Sequence, residues 1–371
     1  MEKLKFVLVG CGRIATLHVA GYKDNEHGVL WGVYDTNMDR AREFAAEHGV
    51  PVVYDSFEAV LSDPDVVGVE LLIPHHLHCE YTVRVCQAGK NVSVQKPMAM
   101  TLDECDKMIA AAKENGVKLK VYENFVFYPP YQFAKKLLDK GEIGDPVGIR
   151  LKMNDGGKGS RALPGQNAPE EELTGWEVPM DAWRWRFNTD LSGGGPLVFD
   201  DGYHKFSMIL HLLGDVEKVM AWIDYTEVIP GVAAVDSPST IMWKHKDKKL
   251  YGVWDIVTSP DMYIKSKYYT CDEQIEITGT KGVIWMTRCT ATMLPDVAPV
   301  IMYKDGKRTE YWDLKHDWAD SFYNSTIDFI ESVKYDREPA LSGQRGRDVL
   351  KFALAAVNSS VQGTEVFLDK F

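Results

Sequence analysis

Residues 4–15 read Leu-Lys-Phe-Val-Leu-Val-Gly-Cys-Gly-Arg-Ile-Ala, an apolar run that leads directly into a G-x-G-x-x-A motif. The run has the length and composition of a buried strand. The first glycine of the motif, Gly10, permits a tight turn, and the second, Gly12, lets the backbone approach a pyrophosphate. The small third residue, Ala15, lets the following helix pack on the strand. This stretch predicts the strand, turn and helix that open a dinucleotide-binding fold.

An acidic residue ends the second predicted strand, Val29–Tyr34, at Asp35. A carboxylate at this position accepts hydrogen bonds from the adenosine ribose 2′-OH and repels a 2′-phosphate, so we predict NAD rather than NADP as the cofactor. Arg13 and Ile14 open the helix whose N-terminus would face the phosphates, and we add both to the predicted cofactor contacts. The alternative interpretation is a purely structural turn in which Asp35 caps the next helix.

Strand-like and helical stretches alternate through the first third of the chain. Further strands are predicted at Val66–Ile73, Asn91–Val94 and Lys118–Val121, with helices at Ile14–Lys23, Met38–Glu47, Leu77–Ala88 and Leu102–Asn115 and with Gly49, Gly89 and Gly116 at three helix ends. This alternation predicts an α/β Rossmann domain over residues 1–124. Residues 125–371 are predicted to form a second, α+β domain. It would contain a large, mostly antiparallel sheet, with the closing helix 344–360 as a candidate to pack back on the first domain.

Composition narrows the class of protein. The 371 residues carry a formal net charge of −12 and no Lys/Arg run, which argues against a nucleic acid or an anionic membrane as partner. The six cysteines form no C-x-x-C pair, a pattern typical of free thiols in a reducing compartment. The apolar stretch at the N-terminus is too short for a signal-peptide core. We therefore expect a cytoplasmic protein.

Two segments carry residue types suited to hydride transfer. Lys96 follows the predicted strand at Asn91–Val94, at a strand end where ligands of open α/β sheets bind, and an amine there can exchange a proton with a substrate hydroxyl. The next residue, Pro97, predicts turn geometry or a cis peptide. Asp200 and His204 are four residues apart on one predicted helix face, where a carboxylate can orient an imidazole. The structural alternatives are a surface lysine and an ordinary helix ion pair; the neighbouring Asp201–Lys205 pair is predicted to be solvated.

The long aperiodic segment 154–187 is predicted to cover the substrate. Its aromatic and charged side chains suit a pyranose, a cyclitol or a glycoside, because rings offer flat apolar faces beside hydrogen-bonding groups. The predicted contacts are Arg161, Trp176, Trp183, Trp185 and Arg186. The alternative interpretation of the tryptophans is core packing.

Taken together, these motifs resemble the Gfo/Idh/MocA oxidoreductase family, which includes glucose–fructose oxidoreductase and inositol dehydrogenases. The resemblance rests on Gly10–Ala15, the Ile73–His78 segment, Lys96-Pro97, Asn124, Gly141–Gly144, the triple glycine before Asp200-x-Gly202-x-His204, and Phe329-Ile330. It implies that Lys96, Asp200 and His204 are catalytic. It also implies cofactor contacts from Pro74, His75, Gln95, Lys96, Asn124 and Arg186, and substrate contacts from Lys96, Asn124, Asp200 and His204.

The chain departs from the family pattern at several positions. Gln95 stands where the family usually has Glu, His75 replaces a common Asn, and Val126 occupies a position that is frequently basic. These changes affect the substrate assignment more than the chemistry. The histidines near His75 do not predict a metal site, because no acidic or cysteine partner lies at ligand spacing.

We therefore predict an NAD-dependent oxidoreductase that moves a hydride between nicotinamide and a secondary hydroxyl of a sugar, cyclitol or glycoside, with ring oxidation of a glycoside as one form. The resemblance implies that residues 125–371 form a substrate-binding and oligomerisation domain whose mostly antiparallel sheet is open. It also implies a homo-oligomer, a dimer, tetramer or larger, whose contacts involve that sheet. Either Lys96 or His204 is the proton acceptor. Two other interpretations stay open: a glycosidase that recycles tightly bound NAD, and a nucleotide-binding regulator without catalysis.

Overall fold

The structure is a computed structural model that describes residues 2–159, 184–229, 231 and 233–371. The predicted substrate residues Arg161, Trp176 and Trp183 lie outside these ranges. The chain divides into two compact units. The first contains Met1–Asn124, Asp190–Gly193 and Ser321–Leu350, and the second contains Phe125–Thr189, Gly194–Asp320 and Lys351–Phe371.

A parallel sheet forms the centre of the first unit. Its strands are β1 (Leu4–Val9), β2 (Gly28–Tyr34), β3 (Val52–Val53), β4 (Val66–Leu71), β5 (Asn91–Gln95) and β6 (Leu119–Tyr122). The strand order is β3-β2-β1-β4-β5-β6, and every neighbouring pair is parallel. This is the strand order of a Rossmann fold, so the predicted fold class of this part is confirmed.

Helices follow the strands of the first unit, as predicted from the periodicity. They are α1 (Ala15–His18), α2 (Met38–His48), α3 (Phe57–Ser62), α4 (His78–Gln87) and α5 (Leu102–Glu114), and 3₁₀ turns lie at Val19–Gly21 and His75–Leu77. Gly49, Gly89 and Gly116 follow helix ends with positive φ, as expected. The helix predicted over Ile14–Lys23 is wrong in length, because the chain tightens into a 3₁₀ turn at Gly21, which packs directly on the side chain of Thr326. The short elements β3 and α3 were not predicted.

A helix from late in the sequence completes the core of the first unit. In α9 (Ala319–Lys334), Phe329 and Ile330 are fully buried against Phe6 and Leu30 of the Rossmann sheet. A buried ion pair accompanies this packing, since the Lys120 amine donates to the Asp328 carboxylate at 2.8 Å. The sequence contains no local signal for the unit to which this helix belongs.

The second unit contains a large mixed sheet. Its strands are β7 (Pro146–Gly159), β8 (Val216–Ile223), β11 (Ser239–His245), β12 (Tyr251–Ile264), β13 (Cys271–Gly279), β14 (Gly282–Met286), β15 (Val300–Lys304), β16 (Lys307–Tyr311) and β17 (Val366–Phe367), while β9 (Thr226–Ile229) and β10 (Ala233–Val235) form a separate hairpin. Among these described strands the order is β16-β15-β14-β13-β7-β12-β11-β8-β17, and only the β7–β12 pair is parallel. The predicted large, mostly antiparallel sheet is confirmed.

Helices of the second unit pack on one face of this sheet. Among the described residues this unit contains α6 (Pro129–Asp139), a π-helical turn at Pro196–Asp201 that continues into α8 (Gly202–Leu213), and 3₁₀ turns at Phe125–Phe127, Arg184–Phe187 and Leu368–Lys370. Of α7 (Thr189–Ser192) only Thr189 belongs to this unit, and of α10 (Gly343–Gln362) only the part from Lys351 onward. Phe206 of α8 packs edge-on against the buried Trp254 of β12, with ring centroids 5.6 Å apart. Side chains of the opposite face, such as Trp222 and Tyr251, are exposed. No helix within the described ranges combines the length and apolar character needed to cross a membrane.

Candidate active site

The glycine turn of the first unit has the geometry that its motif predicts. Gly10 adopts a φ of +99°, and a Cβ on it would lie 2.3 Å from the carbonyl oxygen of Leu72, so a side chain cannot be accommodated there. Gly12 faces open space: among the described residues no atom lies within 4 Å of the position of its Cβ. Arg13 and Ile14 continue the turn into Ala15, which is fully buried. The turn thus leaves room against exposed backbone, which is what a pyrophosphate requires.

Asp35 links the end of β2 to this turn. Its two carboxylate oxygens accept the backbone N–H groups of Cys11 and Asn37, each at 2.8 Å, and the residue is 7% exposed. Each carboxylate oxygen has a second lone pair, so the group retains capacity to accept the two ribose hydroxyls. Asp35 therefore shapes the glycine turn as well as offering a ribose acceptor. The residues of this turn fit a bound NAD.

The segment that follows β4 is fixed by two buried histidines. The ring Nδ1 of His75 lies 2.9 Å from the carbonyl oxygen of Ser192. Both ring nitrogens of His78 face backbone carbonyls, of Pro97 at 2.8 Å and of Ile73 at 2.9 Å. His78 thus connects the segment containing Pro74 to the turn after β5.

Lys96 lies at that turn, and its peptide bond to Pro97 is cis. The side chain of Gln95 holds the backbone at this point, since its Oε1 accepts the N–H of Lys96 at 2.8 Å. The amide nitrogen of Gln95 lies 3.2 Å from Nε2 of His18, whose Nδ1 is 2.6 Å from the Glu70 carboxylate. Because a carboxylate only accepts, a neutral His18 donates from Nδ1 and accepts the Gln95 amide at Nε2. Gln95 is thereby oriented by a buried network.

Asn124 is placed by the same unit. Its side chain is 2% exposed and donates to the hydroxyl of Ser321 at 2.8 Å. Ser321 lies in α9, the late helix that completes the core of this unit. The amide oxygen of Asn124 can still accept hydrogen bonds. Asn124 follows β6, and Lys96 follows the neighbouring strand β5.

The second unit carries the other half of the predicted catalytic set. Asp200 lies in the π-helical turn and His204 lies in α8, and they are 4% and 7% exposed. The guanidinium of Arg186 donates from Nε to Oδ2 of Asp200 at 2.9 Å and also lies over the Trp185 ring. The His204 ring stacks on Phe125, with centroids 4.2 Å apart and planes inclined by 14°. Four of the predicted site residues therefore lie in this unit: Trp185, Arg186, Asp200 and His204.

Models of two domains match this chain. The model of the oxidoreductase family with an NAD-binding Rossmann fold matches residues 4–123, and the model of the GFO/IDH/MocA C-terminal domain matches residues 131–285. The 1,5-anhydro-D-fructose reductase of Ensifer adhaerens is 31% identical over 96% of this chain and 96% of its own length. The chain belongs to the GFO/IDH/MocA oxidoreductase family. It is therefore an oxidoreductase with an NAD-binding Rossmann domain, as predicted.

Other family members align with it over nearly the full length. The myo-inositol 2-dehydrogenase of Thermotoga maritima is 27% identical over 99% of both chains. The solved structure of a levoglucosan dehydrogenase in complex with NADH and levoglucosan superposes with a TM-score of 0.78, at 20% identity, over 99% of this chain and all of that chain. The structural match supports the fold.

The structure places the predicted family residues in two groups. Gly10, Gly12, Asp35, Lys96 and Asn124 lie in the first unit, whereas Asp200, His204, Trp185 and Arg186 lie in the second. Within the first unit the turn and the Lys96 segment follow β1 and β5, which are separated by β4, and both lie at the carboxyl edge of the parallel sheet, where ligands of such sheets bind. The approach of Lys96 to His204 stays a prediction.

The expectation that the Asp201–Lys205 pair is solvated is wrong. Lys205 is 3% exposed rather than solvated, and its amine binds both Asp201 and Glu273 at 2.5 Å. Burial works to lower the pKa of Lys205, but the two carboxylates outweigh it and raise that pKa. The amine also lies 4.9 Å from the centre of the Phe125 ring, and the His204 ring stacks on that same ring. Sequence spacing identified the Asp201–Lys205 pair but could not show Glu273 across the fold.

Proposed function

We propose that this enzyme catalyses NAD-dependent hydride transfer at a secondary hydroxyl of a cyclic polyol: a sugar, a cyclitol or a glycoside. The observation that carries the proposal is the full-length similarity to proteins named myo-inositol 2-dehydrogenase and 1,5-anhydro-D-fructose reductase. The named substrates share a six-membered ring with several hydroxyl groups. The acidic, basic and aromatic side chains around Asp200 suit such a ring, because each hydroxyl both donates and accepts hydrogen bonds.

The cofactor turn supports NAD in particular. The buried Asp35 carboxylate would accept the ribose hydroxyls, whereas a 2′-phosphate would meet its negative charge. Gly10 and Gly12 would hold the pyrophosphate against backbone, and Pro74, His75 and Gln95 would border the nicotinamide end. When NAD is bound, it supplies the hydride acceptor. The side chains of this chain bind and orient the cofactor and the substrate, and they move protons.

Lys96, Asp200 and His204 are the proposed catalytic residues. In the oxidative direction the hydride leaves the carbon that bears the hydroxyl group as the O–H bond of that group breaks. Either the Lys96 amine or the His204 imidazole takes the hydroxyl proton. The other group donates a hydrogen bond to the same oxygen. Asp200 would fix a substrate hydroxyl or His204 through its Oδ1, because its Oδ2 already accepts from Arg186. Asn124 and Trp185 are proposed substrate contacts, and Arg161, Trp176 and Trp183 are proposed to extend them.

A substrate screen with matched variants tests this function. Purified enzyme and NAD are mixed with inositols, aldoses, anhydrosugars and aromatic glycosides, and NADH is followed by absorbance while products are identified by mass spectrometry. We expect NADH formation with at least one cyclic polyol and a loss of 10²-fold or more for Lys96→Ala and His204→Ala, in the range of general acid–base catalysis. Lys113→Ala and His316→Ala change exposed residues of the same types and should retain activity.

The outcomes separate the proposal from its competitors. Glycoside cleavage without net NADH would identify an enzyme that recycles bound NAD. Binding of NAD without turnover on any substrate would identify a nucleotide-binding regulator. Full activity in both the Lys96→Ala and His204→Ala variants would overturn the catalytic assignment while leaving the reaction class intact.

The open face of the second-unit sheet supports a homo-oligomer. Trp222, Met242, Tyr251 and Val257 are exposed on neighbouring strands β8, β11 and β12, and soluble monomers rarely expose such a contiguous apolar patch. We expect light scattering to give a mass of at least two chains, and Trp222→Lys to lower it. Val361→Lys alters an exposed apolar residue on α10 and serves as the control.

A reducing compartment such as the cytoplasm suits the cysteines. All six are free, and burial raises the pKa of Cys11 and Cys86 to about 12, which keeps these thiols protonated and unreactive. We therefore propose that the enzyme needs no disulfide. Its activity should be equal with and without a thiol reductant, and dependence on an oxidant would contradict this.

A further inference from the structure

The helix that carries Asp200 and His204 begins with an unusual turn. In the π-helical turn Pro196–Asp201 the N–H of Asp200 donates to the carbonyl of Gly195, at 3.1 Å. The N–H groups that open a helix precede its hydrogen-bond ladder and need acceptors from elsewhere. Pro196 has no N–H, so Leu197 and Val198 present the first two orphan donors. Both residues are buried, where an unsatisfied N–H is costly.

One carboxylate satisfies both donors. Oδ1 of Asp236 accepts the N–H of Leu197 at 2.7 Å, and its Oδ2 accepts the N–H of Val198 at 2.7 Å. Asp236 is 2% exposed and follows strand β10. Its own carbonyl accepts the hydroxyl of Ser239 at 2.8 Å, which fixes the backbone from which the carboxylate projects.

The triple glycine makes room for this carboxylate. A Cβ on Gly195 would lie 2.3 Å from Oδ2 and 2.5 Å from Cγ of Asp236. A Cβ on Gly194 would lie 2.5 Å from Cγ of Phe199, the residue before Asp200. Gly195 thus lets the backbone of the turn pack directly against the carboxylate, while Gly194 leaves room for the Phe199 side chain.

We propose that Asp236 is a positioning residue for the reaction, whose carboxylate clamps the first turn of the helix and so fixes the direction in which Asp200 faces Arg186 and the substrate. The inference rests on the proposed function, because it assigns Asp200 to that chemistry. Asp236 acts through the backbone of Leu197 and Val198. It needs both carboxylate oxygens, which distinguishes it from a residue that merely fills space.

The charges around Asp236 make the clamp sensitive to pH. Burial raises the pKa of Asp236 to about 6, the backbone amides of Leu197, Val198 and Asp236 itself oppose that rise, and the like charge of Asp200 adds to it. Among the described residues, the Arg186 guanidinium binds Asp200, and burial together with the charge of Asp236 raises the pKa of the Tyr225 phenol. Protonation removes one of the two acceptor oxygens. The clamp therefore weakens as the pH falls below about 6.

Three variants of the full-length enzyme test the clamp. Asp236→Asn keeps one acceptor oxygen and places an amide donor against the second N–H, whereas Asp236→Ala removes both acceptors. Asp272→Asn is the matched control, because Asp272 is an equally buried carboxylate of the same unit that accepts the N–H of Met293 instead. The measurements are amide hydrogen exchange at Leu197 and Val198, kcat and KM across pH 5 to 9, and NAD affinity.

We expect exchange at both amides to be about tenfold faster or more in Asp236→Ala, with Asp236→Asn affecting one of the two amides more than the other. The kcat should fall about tenfold or more in the order wild type, Asn, Ala, with NAD affinity within twofold. The wild-type kcat should decline below about pH 6, and this limb should be absent from Asp236→Asn. Unchanged exchange in both variants would overturn the proposal.

Faster exchange with wild-type kcat and an unchanged acid limb would also overturn it, since the clamp would then be structural only. A wild-type enzyme that turns over no cyclic polyol would refute the proposed function. The exchange data would in that case still show whether Asp236 holds the turn. The two failures are therefore distinguishable.

Discussion

The pH dependence of stability should carry the signature of one buried carboxylate. The pKa of Asp236 is about 6 in the folded protein against an ordinary value of 3.8, so the unfolded chain releases this proton more readily. A raised folded-state pKa contributes stability that is present below the unfolded value and lost as the pH rises through the folded one. Integrating between those two pKa values, the contribution lost from pH 4.5 to pH 7 is about 2 kcal/mol.

Asp236→Asn removes that titration. The free energy of unfolding is measured by urea denaturation at intervals from pH 4.5 to pH 7 for the wild type and the variant. The difference, variant minus wild type, should rise by about 2 kcal/mol over this range, whatever its value at pH 4.5. Asp369→Asn changes an exposed aspartate and should give a flat difference. A flat or falling difference for Asp236→Asn would refute the reasoning, because it would mean that the folded protein does not raise this pKa.

Three further predictions concern other buried polar groups. Asp35→Ala should lower the kcat/KM ratio of NAD to NADP about tenfold or more and destabilise the protein by about 1–3 kcal/mol, since two backbone amides lose their acceptor; steady-state kinetics and urea denaturation measure both. His245 is held neutral, its pKa lowered to about 4 by burial, so stability should be present above pH 6.5 and fall by about 3 kcal/mol towards pH 4, and this fall should be absent from His245→Gln. Lys120→Met should cost about 3–5 kcal/mol in urea denaturation, because Asp328 loses its buried partner, and Asp328→Asn in the same chain should recover part of that loss.

Much of the Rossmann unit could be predicted from local sequence. Its strands are continuous apolar runs, and its turn requires a residue without a side chain at Gly10, so composition and spacing specify the first strand, turn and helix. The short strand Val52–Val53 was not predicted, because two residues carry no measurable periodicity. Nor does an amphipathic helix such as α9 encode which sheet its apolar face will cover. That choice depends on long-range packing, here of Phe329 on Phe6 at 5.4 Å between ring centroids.

The candidate site likewise has a part that the sequence predicts and a part that depends on long-range contacts. Strand ends, helix spacing and the family resemblance predict Lys96, Asp200 and His204, and their catalytic role stays a prediction. The partners that orient them could not be predicted. Phe125 stacks on His204 from a segment far away in sequence, and Asp236 approaches the helix from a strand connection with no motif of its own. The π-helical turn was also unpredicted, since its hydrogen-bond pattern depends on that distant acceptor.

The free-energy balance at Asp236 explains why such a group belongs at a functional turn. A pKa raised from 3.8 to about 6 means that desolvation outweighs the two amide hydrogen bonds, so the charge destabilises the folded state at neutral pH. An apolar residue could not replace it, because Leu197 and Val198 would then bury two unsatisfied donors. A regular α-helical start capped by Ser or Thr would satisfy such donors without a buried charge. The wider turn, with glycine at 195 and an acid opposite, combines a satisfied backbone with Asp200 in its observed place beside Arg186. We infer that the destabilising charge of Asp236 maintains the geometry of the Asp200–Arg186 ion pair.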